Sequence, residues 1–371
     1  MDTMEAETAA LYELLGRHWM LGAPVTSVAF DATGQAVAFA LADGALAIAP
    51  LADIEPPQDR CRVALDAGRT TISPRRKPVP PLTKVAVSDA PFHLASIGTS
   101  GFVASDHDRL LCVSASGVTQ PVASHGSPID VVAELQPGGI LTASGGSVIF
   151  RDSNGEVGWL QERAGGHASA LAVSRDGRRF AMSVDDCLLI RAFGPRPEPG
   201  ASFELGPISA LSWSPDGNWL AASVAKAGIA LLRPADARTV WIPGYPGNVA
   251  SLSWSADSRV LVTSGAYRMI AWDVSSLDDT REQPISRATG RARFVLVEAA
   301  DMHPERRLVA AGYGDGMVVV AGIGEPDELV VRPPGGGAVR ALRWSRDGQH
   351  LAFGTSDGEA AIVTFPPHIF K

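Results

Sequence analysis

The chain has 371 residues, 46% of them hydrophobic and 19% charged, with a formal net charge of −8. That is enough apolar material for a large core, and the acidic balance excludes a nucleic-acid footprint spread over the whole surface. Three cysteines, Cys61, Cys112 and Cys187, lie far apart with no CxxC pair, which excludes a disulfide framework or a zinc ribbon and fits a reducing compartment.

The N-terminus is acidic and shows no basic stretch leading into an apolar one, so no signal peptide is expected. No run of 18 apolar residues and no N-x-S/T acceptor occurs, and a cytoplasmic location is the simplest expectation. Residues 1–16 read as a short helix. Asp2 with Glu5 makes a capping box, and Met4, Leu11 and Leu15 share one face. Such a helix packs on the rest of the chain or, on a sharper reading, detaches to meet a partner. Arg17 to Leu21 then reads as a strand.

From Val25 onward the chain consists of apolar runs of four to seven residues separated by Asp-Gly, Gly-Gly and Pro-Asp-Gly turns. That pattern predicts an all-β protein. After the first such unit comes an insertion at 51–84. It holds Ser73-Pro-Arg-Arg-Lys-Pro-Val-Pro-Pro81, with Arg60, Arg62, Arg69 and Lys84 nearby. Proline favours extended, unpaired backbone here. Arg75, Pro78 and Pro81 match R-x-x-P-x-x-P, so this cationic block is either a solvated loop or a docking peptide for an acidic partner.

Beyond the insertion the chain repeats itself. Leu-Ser-Trp-Ser-Pro-Asp-Gly (211–217), Leu-Ser-Trp-Ser-Ala-Asp-Ser (252–258), Leu-Arg-Trp-Ser-Arg-Asp-Gly (342–348) and Leu-Ala-Val-Ser-Arg-Asp-Gly (171–177) align. Weaker copies fall at Thr33, Ser100, Gly138 and Glu305. The turn positions 33, 100, 138, 176, 216, 257, 305 and 347 are spaced by 67, 38, 38, 40, 41, 48 and 42 residues, and only the first gap, which holds the insertion, is anomalous. A period near 40 fits a four-stranded propeller blade. Ten residues after the turn comes a second one, at Asp43-Gly44, Asp186, Asp315-Gly316 and Asp357-Gly358, with Asp108 two residues early. The constant offset is one β-hairpin. The strands between, such as Leu220-Ala-Ala-Ser and Leu351-Ala-Phe-Gly, are small and apolar and suit the crowded inner part of a blade.

These residues resemble the WD40 repeat family, in which Leu-x-Phe/Trp-Ser-Pro-Asp-Gly precedes Leu-Ala-Ser-Gly-Ser-x-Asp-Gly and a strand ending in Trp-Asp. The resemblance covers about residues 24–365. It departs from the family in having one Trp-Asp pair, Trp272-Asp273, and one Gly-His pair, Gly166-His167, closer to Asp176 than the usual spacing. The buried His–Ser/Thr–Asp–Trp network of that family is therefore expected to be incomplete. The resemblance implies a closed β-propeller of four-stranded blades. The units number eight, with seven as the alternative. Residues 17–371 form the propeller, and the last unit runs out of chain at Phe365 after three strands. The segment from Arg17 to Leu21 is placed to supply its outer strand and remove the open edge.

The acidic turn column has two readings. In relatives such an Asp caps the hairpin or joins an internal hydrogen-bond network. Alternatively, closure sets Asp43, Asp108, Asp186, Asp315 and Asp357 around one face as a partial ring, joined by Asp106 and Asp185, where they would meet a basic partner or a cation. No H-x-x-x-H, H-E-x-x-H, G-x-S-x-G or Walker loop occurs. Asp106-His107-Asp108 with Cys112 is a poor ligand set, because adjacent turn residues rarely converge on one ion. Gly312-Tyr-Gly-Asp-Gly316 lacks the helix N-terminus that phosphate binding needs. Trp213, Trp254 and Trp344 recur at one repeat position and are expected to pack between blades. No catalytic residue, metal or cofactor is expected.

The resemblance therefore implies a non-catalytic scaffold, a monomeric disc without a membrane anchor that binds one or more proteins through its loop faces. The candidate contacts are Asp43, Asp108, Asp186, Asp315 and Asp357, with Arg75, Arg76 and Lys77 of the insertion. Two alternatives stand beside it. One is a cation-dependent propeller hydrolase with carboxylates around the channel. The other is an RNA- or ribosome-associated protein that binds through the basic 69–84 loop.

Overall fold

The computed structural model describes residues 11–63, 70–98, 101–135, 138–151, 157–161, 166–193, 200–277, 282–367 and 369–370. Within them the chain forms eight four-stranded antiparallel sheets. In the first blade, Val25–Phe30, Ala36–Leu41, Ala45–Pro50 and Thr83–Ala86 lie side by side in that order. The following blades occupy 94–124, 131–161, 168–204, 208–242, 252–289 and 297–332. The eighth is Val339–Trp344, His350–Thr355 and Glu359–Thr364, completed by Gly16–Met20. The closing strand pairs Gly16 with Val363, His18 with Ala361 and Met20 with Glu359. The expected closure and the count of eight both hold.

The first strand of every blade packs against the first strands of its two neighbours, around the whole circle. These eight first strands therefore line the channel. The small apolar strands lie one step further out, as second strands. They are buried on both faces, with Ala36–Leu41, Leu220–Val224 and Val260–Thr263 inaccessible along their length. A strand sandwiched between two blades loses the polar alternation of a one-sided sheet. Two glycines show how closely blades approach. A Cβ on Gly312 would lie 2.3 Å from Val339 Cγ1 of the next blade, and one on Gly354 would lie 2.2 Å from Val25 Cγ1.

The tryptophans of the repeat bridge blades, as expected. Trp213 Nε1 donates to Ala172 O of the preceding blade at 3.3 Å, and Trp254 Nε1 to Ser212 O at 3.1 Å. Trp344 packs on His303 instead, with ring centroids 5.0 Å apart. The repeated Ser-x-Asp is a turn cap. Ser214 Oγ donates to Asp216 at 2.6 Å and accepts from Trp219 N at 2.9 Å, and Ser174, Ser255 and Ser345 do the same in their blades. In the seventh blade His303 stands in the serine's place. Its Nδ1 accepts from Glu305 N and Arg306 N at 3.2 and 3.1 Å.

The N-terminal helix is Leu11–Leu15, with Tyr12 and Leu15 buried against the seventh and eighth blades. Asp2, Met4 and Glu5 of the expected capping box and apolar face lie outside the described residues, as do Ser100 and Arg69. The described residues of the insertion are partly structured, and Arg76, Lys77, Pro78 and Pro81 are exposed as the solvated-loop reading expects. Pro57–Arg60 forms one helical turn, and Cys61–Val63 pairs with Thr70–Ile72. The segment then folds over the joint between the last and first blades. Arg60 Nη2 donates to Leu14 O at 2.6 Å, and Trp19 Nε1 donates to Pro80 O at 3.0 Å.

Candidate partner-binding face

Each blade runs outward from the axis with alternating strand direction. First–second and third–fourth turns therefore emerge on one face of the disc. Second–third turns and the blade-to-blade loops emerge on the other. The column of Asp43, Asp108, Asp186, Asp315 and Asp357 lies in second–third turns, so the structure does bring these residues to one face. They sit at mid-radius, outside the ring of first strands, and do not line the channel.

Their side chains differ in what they do. Asp357 accepts from Thr355 Oγ1 and from Gly337 N at 2.8 Å, and the threonine hydroxyl above all holds its carboxyl below the usual range. Asp315 accepts from Met317 N at 3.1 Å. Asp43 accepts from Ala45 N at 3.1 Å and lies 3.5 Å from Lys84. Asp108 takes the Ser124 hydroxyl at 2.6 Å, which pulls its carboxyl below the ordinary value. Asp43, Asp315 and Asp357 cap their own hairpins, and Asp108 is tied to the fourth strand of its blade. Asp186 is exposed, and its backbone carbonyl accepts from Leu205 N and Gly206 N at 3.1 Å each, with no side-chain hydrogen bond found among the described residues. Among the described residues no group of three or more His, Cys, Asp or Glu side chains is disposed to hold a metal ion.

The cations of the insertion are divided. Arg75 turns inward, 11% exposed, onto Asp53, with Nη1 2.9 Å from Oδ2. Glu55 accepts the backbone N–H groups of Arg76 and Lys77 at 2.9 and 2.6 Å, leaving those two side chains at the surface. The R-x-x-P-x-x-P stretch is therefore pinned to acidic residues of its own insertion.

On the opposite face, that of the first–second turns, Arg346 of the eighth blade reaches Glu134 of the third at 3.0 Å. They border a depression of about 630 Å³ that also meets Trp213 and Trp254. Inside the channel, Asp301 joins three blades. It accepts from Ser253 Oγ at 2.8 Å and Trp344 N at 2.9 Å, with Arg343 3.9 Å away. Burial pushes its carboxyl above the ordinary range, against the pull of Arg343 and these donors.

One part of the loop face was not singled out by sequence reasoning. Between the fifth and seventh blades, four loops hydrogen-bond to one another side by side. Gly247 N donates to Gly265 O at 3.0 Å, Gly265 N to Val297 O at 2.8 Å and Gly314 N to Leu296 O at 3.0 Å. Phe294 projects from this shelf fully exposed, near a half-exposed Tyr267. A depression of about 880 Å³, bordered by Lys226, Tyr245, Pro246 and Asn248, adjoins it. The available signal was the gap of 48 between turn positions 257 and 305, longer than its neighbours.

Residues 200–226 match the profile of the WD domain, G-beta repeat. The chain superposes on the C-terminal WD40 domain of Sif2 with a TM-score of 0.64 and 14% identity, covering 95% of this chain and 99% of that one. It is equally similar to the computationally designed protein Ika8, with a TM-score of 0.65, 14% identity and the same two coverages. No helix among the described residues is long and apolar enough to cross a membrane.

Proposed function

Taking the chain as a WD40-repeat propeller, we propose that it is a non-catalytic scaffold that holds a protein partner on its loop face. One observation carries this reading. Eight hairpin turns and the loops between blades meet on one rigid face that mixes exposed carboxylates, cations and aromatic rings. Contiguous exposed apolar groups rimmed by charge mark interaction surfaces on soluble proteins. A closed disc supplies them without moving, which lowers the ordering cost of binding.

The experiment is to purify tagged protein from its own cells at low ionic strength and measure the mass ratio of co-eluting proteins. A partner at a fixed ratio, lost when Asp43 and Asp186 become lysine or when Phe294 becomes serine, is expected. Elution of the chain alone across growth conditions would overturn the scaffold reading.

A further inference from the structure

We propose that the shelf between the fifth and seventh blades, centred on Phe294, binds an acidic protein segment carrying apolar side chains. This rests on the scaffold reading and names the chemistry of its partner.

The first argument is rigidity. The Phe294 loop is held by backbone donors at four of its positions, on both sides of the phenylalanine. Gly290 N donates to Glu325 O at 2.8 Å, Arg291 N to Glu328 Oε2 at 3.1 Å, Arg293 N to Tyr267 O at 2.8 Å and Val297 N to Ala266 O at 2.9 Å. The Arg293 guanidinium is clamped between the Glu328 carboxylate and the Tyr313 ring, 5.4 Å from its centroid. Arg268 Nη2 donates to Gly290 O at 2.5 Å. A phenylalanine on a free loop would fold back onto the nearest apolar surface. This one projects into water from a backbone pinned at Arg293 and Val297. Rigid aromatic anchors of this kind lose little entropy on binding and dominate interface energies.

Charge is the second argument. The loops and turns of this sector, residues 225–228, 243–250, 264–268 and 290–297, contain Lys226, Arg268, Arg291 and Arg293 and no acidic residue, and the adjoining 314–317 turn adds one acid, Asp315, in a chain of net charge −8. Arg293 is neutralised by Glu328. Lys226 and Arg291 are exposed and Arg268 is half-exposed. The other second–third turns of the same face carry Asp43, Asp108, Asp186, Asp315 and Asp357. The face is thus split, and an incoming acidic segment is steered to this side and repelled from the rest.

The third argument is shape. The depression beside the shelf is bordered by Tyr245, Pro246, Val249 and Lys226. Its 243–250 loop approaches Leu296, because a Cβ on Gly247 would meet Leu296 Cδ1 at 2.7 Å. Leucine- or phenylalanine-sized side chains fit such a hollow while carboxylates meet the cations around it. Aromatic rings with arginines also suit single-stranded nucleic acid. The carboxylates on the remaining turns of the face disfavour a polyanionic backbone continuing across it, so a short acidic segment is favoured.

The test is selection of a random twelve-residue peptide library against the purified full-length chain, followed by anisotropy of labelled winners at 50 and 300 mM salt. Enriched peptides are expected to combine Asp or Glu with Leu, Ile or Phe. Their affinity should fall at least tenfold in Phe294→Ser and again in Arg291→Glu, with Arg178→Glu, exposed in a first–second turn on the opposite face, as an unaffected control. Both shelf residues are exposed, so circular dichroism should show folded variants. Basic winners, winners indifferent to Phe294→Ser, or no enrichment would overturn the proposal, as would a labelled oligo-dT that binds more tightly and competes. A cellular partner that co-purifies and survives Phe294→Ser would sink this assignment alone and leave the scaffold reading standing.

Discussion

Arg17, on the strand that closes the ring, lies 3.8 Å from Asp53, at the start of the insertion in the first blade, and both side chains are almost wholly buried. The same guanidinium donates to the carbonyls of Pro50, Ala52 and Leu51 at 2.9, 3.2 and 3.0 Å. Eight blades are closed by one strand contributed from the other end of the chain. Its hold on the eighth blade is a backbone ladder, and its hold on the first is this arginine together with Trp19, whose Nε1 donates to Pro80 O.

Arg17→Ala should therefore cost about 3 kcal/mol of stability, because it leaves three carbonyls without their charged donor and removes one of the two buried cations beside Asp53. Chemical denaturation would measure it. A loss below about 1 kcal/mol would mean that the ladder and Trp19 hold the closing joint without it. Arg75, which also reaches Asp53, should compensate only partly, since it does not touch the three carbonyls.

Asp357 and Asp186 separate the two readings of the acidic turns. Asp357→Lys removes the acceptor of Gly337 N and of the Thr355 hydroxyl, and should cost about 1–2 kcal/mol. Asp186→Lys removes no side-chain hydrogen bond found among the described residues and should stay within about 0.5 kcal/mol. Equal losses in thermal melts would contradict the assignment of the first as a cap and the second as free.

His303 gives the fold an acid-sensitive joint. Its Nδ1 accepts two backbone N–H groups, and its Nε2 sits 3.1 Å from Gly348 O, so the ring is neutral with the proton on Nε2. Burial lowers its pKa. The unfolded chain then binds this proton first, and stability falls as pH drops below about 6.5, the ordinary histidine value. Unfolding free energies at pH 7.5 and 5.5 should show the loss. His303→Ser, which restores the residue found in four other blades, should reduce the slope even if it lowers stability at neutral pH.

Asp301→Ala should cost about 2 kcal/mol or more, since Trp344 N and the Ser253 hydroxyl would lose their acceptor between blades. Asp301→Asn keeps one acceptor oxygen and should cost less. Urea midpoints of the two variants decide between a carboxylate that ties three blades together and one that merely fills the channel.

Blade number, closure and the inter-blade tryptophans were legible in the amino-acid sequence. They depend on local rules. Asp-Gly and Ser-x-Asp turns recur wherever a hairpin must reverse, and a period near 40 residues repeats because each blade buries the same strands against the same neighbours. The fate of the insertion was not legible. Its prolines and arginines predict an extended cationic loop, yet Asp53 and Glu55 sit within reach of Arg75, Arg76 and Lys77 only after the chain turns back on itself. The split of the loop face was equally hidden. Lys226, Tyr267 and Phe294 are far apart in sequence, and only the side-by-side packing of the fifth, sixth and seventh blades brings their loops onto one shelf. Turn chemistry acts over a few residues and can be read along a chain. Charge pairing and exposure depend on which distant loops the ring sets beside each other, and the tertiary structure alone decides that.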